Sequence, residues 1–396
     1  MLISRQLEHS LTDAKRICVV ITARPSYARI KTALNAMQAS KAIDLKIITT
    51  GSLLLNRYGA AVNIIERDGF EVSSRLHTVF EGENLITAPK STAIQLLELT
   101  TELERIKPDA VVTIADRYET ISTAIAASYM NIPLIHIQGG EVTGSIDEKV
   151  RHAVTKLADF HLVSTEEAKE RVVKMGEDHD SVIVTGCPSI DLAKQALSGH
   201  CDLDEIMKQY TSVGEKFSTA EDYLVVMQHP VTTQYSDSLE QIMATLNAVY
   251  RTGKNVFCFW PNPDSGSDAI SNGIRRFREQ YELSNFAFFK NIQPNHFLQL
   301  LINSSCLVGN SSVGIRECSF LGVPVVNIGQ RQQFRQRGSN VEDVVHDAEK
   351  ILLAIHKQML MGKHKQSFVY GDGNSGEKIA KAIASWRPCL KQAIRY

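Results

Sequence analysis

Hydrophobic positions along the 396-residue chain fall into two series of short runs, and longer stretches of mixed polarity separate one run from the next. The runs are nearly continuous in apolar residues, which is typical of parallel strands covered by helices on both faces. The first series of predicted strands comprises residues 17–22, 45–50, 110–114, 134–137, 161–164 and 182–185. The second series comprises residues 223–227, 256–259, 286–289, 306–308 and 325–328.

Amphipathic stretches such as 91–106 and 118–130 lie between the predicted strands and are interpreted as helices. This alternation predicts an α/β fold of two doubly wound, parallel-sheet, Rossmann-like domains facing a cleft. We place boundaries where the periodicity weakens. They give an N-terminal extension (1–15), a first domain (16–197), a polar linker (198–222), a second domain (223–373) and a C-terminal helix (374–396) that could pack on the first domain.

Composition narrows the class of protein. The hydrophobic content of 43% allows both domains to bury a core, and the net charge of −1 disfavours nucleic acid or an anionic membrane as the main partner. No apolar run approaches the roughly 18 residues of a membrane span, and the polar N-terminus does not read as a secretion signal. The seven cysteines lack C-x-x-C spacing, so we expect reduced thiols and a cytoplasmic protein. Cys187, in "TGCPS", is interpreted as a small buried or turn residue rather than a nucleophile.

Polar side chains follow many of the predicted strands. Ligands of open α/β sheets bind outside the carboxyl ends of the strands, and with two domains the cleft between them is the default site. In the first domain these strand-end residues are Arg24, Asp116, Arg117, Gln138, Glu141, Asp147, Arg151 and His152. In the second domain they are His229, Asn262, Asp264, Lys290, Ser311, Ser312 and Arg331.

Each of these residues also has a purely structural interpretation. Asp116 and Arg117 could form a local ion pair, His229 could be a capped core histidine, and Arg331 could belong to a solvated basic loop. Their clustering at one edge of each predicted sheet favours the functional interpretation.

The stretch "GNSSVGIRE" at 309–317 combines a turn with a predicted helix start. Its N–H groups and hydroxyls suit an anion, although they would equally form an ordinary N-cap. Together with His229 and Arg331, Ser311 and Ser312 suit a diphosphate, and Glu317 could accept from a ribose diol. In the first domain, the carboxylates Asp116, Glu141 and Asp147 suit proton transfer on a neutral polyol. The two groups together predict a nucleotide-sugar ligand.

Other nucleotide and metal signatures are missing from the sequence. There is no G-x-x-x-x-G-K-[ST] and no G-x-G-x-x-G after the first predicted strand, which disfavours ATP and NAD. There is no H-E-x-x-H and no tight His/Cys cluster, so we predict neither a metal nor a cofactor.

Five motifs closely resemble the hydrolysing UDP-N-acetylglucosamine 2-epimerases of sialic acid synthesis. They are "HIQGGEVTGSIDEKVRHAVTKLADFHLVSTEEA", "MGEDHDSVIVTGCPSID", "PNPDSGS", "GNSSVGIRE" and "YGDGN", and the likeness runs from about residue 16 to 385. The resemblance implies a GT-B-like fold, a homodimer or homotetramer, and a reaction without metal or nicotinamide. In that reaction UDP is eliminated to give a glycal, and hydration of the glycal yields N-acetylmannosamine.

The resemblance also implies roles for individual positions. UDP-contacting positions match Arg24, Arg117, His229, Asn262, Ser311, Ser312, Glu317 and Arg331, and Ile292 matches a backbone contact to uracil. Asp116 and Asp147 match acidic positions of the chemistry, while Glu141 and His229 are further candidates for catalysis. Which carboxylate removes the C2 proton stays open.

Departures from the family pattern concentrate in the first domain, at Ser26, Leu53, Ile114 and Gln138. Leu53 and Ile114 suggest a less polar sugar site, as a 6-deoxy sugar would favour. An alternative substrate is therefore UDP-2,4-diacetamido-2,4,6-trideoxyglucose, for legionaminic acid synthesis. A non-hydrolysing epimerase, a GT-B glycosyltransferase and a catalytically silent nucleotide-sugar sensor are further alternatives.

Overall fold

The computed structural model describes residues 14–56, 59–80, 86–115, 117–143, 146–199, 202–214, 217–261, 266–290 and 292–391. The chain folds into two compact units, which we call the first and the second unit. The first unit comprises the described residues up to Glu141, Lys149–Pro188 and the segment from Asn374 onward. The second unit comprises Val142–Glu148 and Ser189–Gly373.

The first unit is built on a seven-stranded parallel sheet. Its strands are β1 (Lys15–Ile21), β2 (Ile43–Thr50), β3 (Ser74–Leu76), β4 (Ala110–Ile114), β5 (Leu134–Ile137), β6 (Phe160–Val163) and β7 (Val182–Val184). They lie in the order β3-β2-β1-β4-β5-β6-β7, which is that of a doubly wound fold. Helices in this part of the chain are α1 (Arg24–Ala28), α2 (Lys31–Ala39), α3 (Val62–Arg67), α4 (Thr87–Ile106), α5 (Thr120–Tyr129), α6 (Ile146–Leu157) and α7 (Glu166–Lys174).

Strand β1 shows why the central runs are continuously apolar. Successive side chains of a strand point to opposite faces of the sheet. Ile17, Val19 and Ile21 accordingly belong to one core cluster, whereas Cys18 and Val20 belong to another. The first cluster includes residues of α2, and the second includes residues of α4 and α5. Both faces of the sheet are therefore buried under helices.

The second unit repeats this architecture. Its strands are β8 (Ser212–Gly214), β9 (Tyr223–Met227), β10 (Asn255–Phe259), β11 (Phe286–Phe289), β12 (Cys306–Gly309), β13 (Val325–Ile328) and β14 (Val341–Val344). The order is β14-β13-β12-β9-β10-β11-β8, with every pair parallel except β11 and β8. Helices here are α8 (Pro188–Ser198), α9 (Leu203–Lys208), α10 (Ser238–Tyr250), α11 (Ser267–Gln280), α12 (Pro294–Asn303), α13 (Ser312–Ile315), α14 (Glu317–Leu321) and α15 (Ala348–Met361). Two parallel-sheet α/β domains, as expected from the sequence, are thus present.

The segment predicted as a linker, 198–222, contributes structure to the second unit. It contains helix α9 and strand β8, and β8 pairs antiparallel with β11. Asp202 caps α9 by accepting a hydrogen bond from the backbone N–H of Glu205. The segment is polar because β8 is short and lies at the edge of the sheet, where Val213 stays exposed.

The C-terminal helix, α16 (Ser375–Ser385), is shorter than the segment 374–396 predicted from the sequence. It ends at Ser385 because Trp386 is extended and Arg387 precedes a proline, a position that disfavours helical backbone. The Trp386 ring stacks on Phe160 with centroids 4.8 Å apart. Beyond it, the backbone N–H of Lys391 donates to Asp159 at 2.8 Å. Helix α16 and the following segment thus pack within the first unit.

Within the described residues, no helix combines the length and the apolar composition needed to cross a bilayer.

Candidate active site

The second unit has its topological switch point between β9 and β12, which are neighbours in the sheet while their connections run in opposite directions. Strand β9 ends at Met227 and leads into His229, and β12 ends at Gly309 and leads into Asn310 and Ser311. The predicted residues His229 and Ser311 therefore lie at the two strand ends that flank this point.

His229 is held through its backbone. Its N–H donates to Asn310 Oδ1 at 2.7 Å, and its carbonyl oxygen accepts from Asn310 Nδ2 at 2.8 Å. The residue is buried, so the loop after β9 has little freedom at this position. Asn310 was not singled out from the sequence, although it lies inside the "GNSSVGIRE" motif.

The predicted helix start at Ser311 is present, but the helix is short. Ser311 is the N-cap of α13, and its hydroxyl accepts from the backbone N–H of Val313 at 3.4 Å. The helix is interrupted at Arg316, and Glu317 begins the separate helix α14. A four-residue helix has little macrodipole, so any anion binding here would depend on individual N–H and hydroxyl groups.

Arg331 follows β13 and joins the same edge of the sheet. Its Nη1 donates to the backbone carbonyl of Asn310 at 3.3 Å, and Gln332 Nε2 donates to the same oxygen at 3.0 Å. Ile292 lies buried after β11, which β10 separates from β9. Asn262 lies outside the described residues.

The first unit has its switch point between β1 and β4. Arg24 begins α1 directly after β1, and Arg117 follows β4. Arg117 Nε donates to Glu119 Oε1 at 2.8 Å, and Glu119 is buried. Asp116 lies outside the described residues, so the partner that the structure describes for Arg117 is Glu119. In the sequence, this ion pair is indicated by the two-residue spacing of Arg117 and Glu119 in "ADRYE".

Residues after β5 and in α6 form the rest of the predicted sugar-side group. Gln138 has a left-handed backbone (φ 65°) and is buried, and its Nε2 donates to Cys187 Sγ at 3.0 Å. Glu141 is buried, and its carbonyl oxygen accepts from Arg151 Nη1 at 2.6 Å. Asp147 lies in the first turn of α6, within the segment that groups with the second unit.

His136 supports the turn after β4. Its Nε2 lies 3.0 Å from the carbonyl oxygen of Ala115, which can only accept, so this nitrogen carries the proton. Nδ1 then accepts from the Thr155 hydroxyl at 3.1 Å. Burial lowers the pKa of His136 to about 4, so the ring is neutral at physiological pH. The ring thereby fixes the left-handed Ala115 just before Asp116.

Leu53 and Ile114 do not support the less polar sugar site inferred from the sequence. They are 0% and 1% exposed and belong to the core cluster that also contains Ile21. Because their side chains point into the core, neither one changes the polarity of a ligand-facing surface. The inference of a less polar sugar site from these two residues was therefore wrong. Among the departures from the family pattern, Gln138 lies buried directly after a strand end.

Several buried polar atoms at the carboxyl edge of the first sheet have no hydrogen-bond partner within the described residues. They are Thr22 Oγ1, Glu119 Oε2, Gln138 Oε1 and Ser164 Oγ, which follow the adjacent strands β1, β4, β5 and β6. Leaving a buried polar atom unsatisfied costs roughly 1–3 kcal/mol. A ligand that supplied complementary donors or acceptors here would recover that free energy.

Most of the described cysteines are buried. Cys187 is buried, as interpreted from the sequence, and so are Cys18, Cys258, Cys306 and Cys318, whereas Cys389 is exposed. Within the part of the chain that the structure describes, no group of three His, Cys, Asp or Glu residues is arranged to hold a metal ion.

Comparisons with known proteins agree with these features. The family model for UDP-N-acetylglucosamine 2-epimerase matches residues 35–384. A UDP-N,N'-diacetylbacillosamine 2-epimerase (hydrolyzing) of Legionella pneumophila is 32% identical over 375 residues, covering 93% of this chain and 95% of the relative. Polysialic acid biosynthesis protein P7 of Escherichia coli is 34% identical over 346 residues, covering 86% and 85%.

A similar fold is seen in a crystal structure of UDP-GlcNAc 2-epimerase from Neisseria meningitidis bound to UDP-GlcNAc. The TM-score is 0.78 at 17% sequence identity, covering 93% of this chain and 99% of the other. The two Rossmann-like units are therefore of the GT-B-like type. From the matched family model and the relatives above 30% identity, the chain belongs to the UDP-N-acetylglucosamine 2-epimerase family.

Proposed function

We propose that this protein is a hydrolysing UDP-N-acetylglucosamine 2-epimerase, which converts UDP-GlcNAc and water to N-acetylmannosamine and UDP. The observation that carries the proposal is the set of groups around Asn310. His229, Ser311 and Arg331 follow three neighbouring strands, β9, β12 and β13, and the backbone or side chain of each one is tied into that edge. Imidazole, hydroxyl, N–H and guanidinium groups together suit a diphosphate that must leave.

The proposed reaction has two steps. A carboxylate takes the proton from C2 while the C1–O bond breaks, so that C1=C2 forms and the electron pair of the broken bond leaves on UDP. Water then adds its oxygen to C1 and a proton returns to C2 on the opposite face, which gives free N-acetylmannosamine. Asp116, Glu141 and Asp147 are the candidate carboxylates. Because the C2 proton is not adjacent to a carbonyl, the barrier depends mainly on stabilising the departing UDP.

The other residues have roles suited to their chemistry. We assign the diphosphate to His229, Ser311, Ser312 and Arg331, with further positive charge from Arg24 and Arg117. The carboxylate of Glu317 would accept from both ribose hydroxyls, Asn262 would contact UDP, and the backbone at Ile292 would contact the uracil. None of these roles requires a metal or a redox cofactor.

A second candidate substrate is UDP-N,N'-diacetylbacillosamine. The specific reason is the 32% identical relative from Legionella pneumophila that carries this name. Gln138 Oε1 offers a buried acceptor, and the additional amide N–H of that sugar would be a suitable donor for it. The two candidates share the same elimination and hydration steps, so they differ in sugar specificity alone.

Proton NMR in D₂O tests the proposal. The purified protein is incubated separately with UDP-GlcNAc and UDP-N,N'-diacetylbacillosamine, and we expect UDP together with a free, mannose-configured sugar deuterated at C2. An epimerised sugar that stays attached to UDP would identify a non-hydrolysing epimerase. No turnover in water, with transfer once an acceptor is added, would identify a glycosyltransferase. The Asp116→Asn variant is the control, and a silent binding protein would behave identically with and without that change.

A further inference from the structure

We propose that Asn310 is the positioning residue of the nucleotide-binding edge, holding His229 and the Arg331 loop in fixed register without contacting substrate itself. The inference rests on the proposed function and deepens it. Residues of one short motif would then have two different roles: Ser311 and Ser312 would bind the ligand, whereas Asn310 would hold the groups around it.

Every polar group of Asn310 has a partner. Its backbone N–H donates to Met227 O at 3.1 Å, and its side chain exchanges two hydrogen bonds with the backbone of His229. Its carbonyl oxygen accepts from Gln332 Nε2 and Arg331 Nη1. One residue therefore joins the ends of β9, β12 and β13.

The close approach of β9 and β12 makes these hydrogen bonds of Asn310 possible. Gly309 has φ 141°, and a Cβ built there would lie 2.1 Å from Met227 O. Any side chain at 309 would thus separate β12 from β9. Because the two strands end so close together, the short side chain of Asn310 reaches both backbone groups of His229 while it remains only 1% exposed.

These contacts have a consequence for the departing UDP. Donors aimed at developing charge are most effective when they need no reorganisation as the bond breaks. Without the Asn310 side chain, the buried N–H and carbonyl of His229 would both lose a partner, and the loop would shift to satisfy them. His229 would then lose its register with Arg331.

Asn340 provides a matched control within the same unit. It is also 1% exposed, its Nδ2 donates to Val323 O at 2.9 Å, and its Oδ1 accepts from the Ser319 hydroxyl at 2.8 Å. It immediately precedes β14 and therefore lies at the amino edge of the sheet, opposite the strand ends that carry His229 and Arg331. Removing either side chain deletes two buried hydrogen bonds of similar geometry.

The experiment compares Asn310→Ala, Asn340→Ala and the wild-type chain, with UDP as the probe. Isothermal titration calorimetry gives the affinity for UDP, and urea unfolding gives the free energy of unfolding. We expect both variants to lose similar stability, whereas UDP affinity falls about tenfold or more in Asn310→Ala and stays within about twofold in Asn340→Ala. Equal affinities in the two variants would overturn the positioning role.

A double-mutant cycle supplies a readout that general destabilisation would not change. If Asn310 acts through His229, the loss of kcat/KM on His229→Ala should be smaller in the Asn310→Ala background than in the Asn340→Ala background. Equal losses in the two backgrounds would contradict the proposal. If the wild-type protein binds no UDP, the proposed function is wrong, and this inference, which rests on it, is wrong as well.

A second variant keeps the test decisive should Asn310→Ala not fold. Gln332→Met removes the donor to the Asn310 carbonyl at nearly constant volume while Asn310 itself stays in place. Loss of one such hydrogen bond should weaken UDP binding by roughly 2–10-fold. An unchanged affinity for UDP in Gln332→Met would contradict the proposal, just as an unchanged affinity in Asn310→Ala would.

Discussion

The two units differ in how the strand ends at their switch points are joined. In the second unit, Asn310 ties together the loops after β9, β12 and β13, and each of its polar groups has a protein partner. Gln228 Nε2 and Gln332 Oε1 are nevertheless buried at this edge without a hydrogen-bond partner among the described residues. At the carboxyl edge of the first unit, Thr22 Oγ1, Glu119 Oε2 and Gln138 Oε1 are buried without a hydrogen-bond partner among the described residues.

This difference suggests a division of labour between the units. An edge whose loops are joined through one residue suits a group that is the same in every substrate, such as UDP, because little reorganisation is needed on binding. Unsatisfied buried groups gain most from a ligand that supplies the missing donors and acceptors. We therefore expect the second unit to determine the nucleotide and the first unit to discriminate between sugars.

The largest expected effect comes from the rigid edge. Removing one preorganised donor from a site of developing charge lowers the rate about 10²–10³-fold, so His229→Ala should lose that much kcat. The control is His364→Ala, because His364 contacts Gln358 at 3.0 Å and its backbone bonds to Gly322 near the start of β13, away from the strand ends. Steady-state release of UDP measures both variants. A loss of kcat of similar size in His364→Ala would mean that the carboxyl edge of the second sheet has no special role in the reaction.

Acid should destabilise the first unit before the second, because the first holds two buried histidines and a buried glutamate with lowered pKa values, whereas the described part of the second holds one half-buried histidine with a lowered pKa, His346. Burial lowers the pKa of His136 to about 4, against the opposing effect of its hydrogen bond to the Ala115 carbonyl, and burial also lowers the pKa of His161. Burial alone would raise the pKa of Glu177, but the nearby His161 ring, the hydrogen bond from Lys156 and the charge of Lys391 hold it at about 2.

The sign is the same for these groups. Each has a folded-state pKa below its unfolded value, so the unfolded chain binds more protons and stability falls as the pH drops. For His136 the loss begins below pH 6.5 and reaches about 3 kcal/mol near pH 4. Protonation of Glu177 adds to the loss below about pH 4.5.

The two tryptophans, one in each unit, allow a direct measurement. Acid titration of Trp260→Phe follows the first unit through Trp386, and Trp386→Phe follows the second unit through Trp260. We expect the Trp386 signal to change at the higher pH. Coincident transitions, or the reverse order, would show that the buried groups of the first unit do not set its acid stability.

A smaller effect is expected from Glu119→Gln. The variant keeps an acceptor for Arg117 but removes the charge that strengthens their hydrogen bond. Weaker orientation of Arg117 should raise KM for the UDP-sugar and lower kcat/KM about tenfold. Glu102→Gln is the matched control, because Glu102 accepts from Arg105 in an ion pair whose arginine side chain is exposed on α4. Equal kinetics for the two variants would exclude an orienting role for Glu119.

The smallest expected effect is a change in the free energy of unfolding of Gln138→Met, opposite in direction to the change expected for Asn310→Ala. Gln138→Met removes the unsatisfied amide oxygen and, with it, only a weak N–H···S hydrogen bond to Cys187, so the free energy of unfolding should stay unchanged or rise by up to about 1 kcal/mol. Activity should nevertheless fall several-fold if this oxygen binds the sugar. Urea unfolding and kcat/KM are measured together. A loss of stability like that expected for Asn310→Ala would mean that Gln138 is already satisfied without ligand.

The central strands could be predicted from the sequence, whereas three of the four edge strands could not; the exception is β7, predicted as residues 182–185. Ala110–Ile114 and Tyr223–Met227 were identified residue for residue, because burial on both faces leaves a continuous apolar run. The strands Ser74–Leu76, Ser212–Gly214 and Val341–Val344 were missed because they are short, partly exposed and lie at sheet edges. Polar residues interrupt them, so no apolar run indicates their presence.

The candidate site residues divide in a similar way. The sequence predicts that His229, Ser311 and Arg331 lie at one edge of the sheet, because parallel topology brings strand ends together. It does not reveal the partner role of Asn310, since 81 residues separate it from His229 and the contact depends on strand order. The errors at Leu53 and Ile114 have another cause. Proximity to a strand end does not tell which way a side chain points.

The position of α16 has a consequence for how the protein is made. Ile379 and Ile383 of this helix complete the core of the first unit beside α2, yet the ribosome synthesises them only after the whole of Ser189–Gly373. The second unit can therefore fold during translation while the earlier-made first unit still exposes an apolar face. Chaperone binding to nascent chains should accordingly persist on the first unit until α16 emerges from the ribosome.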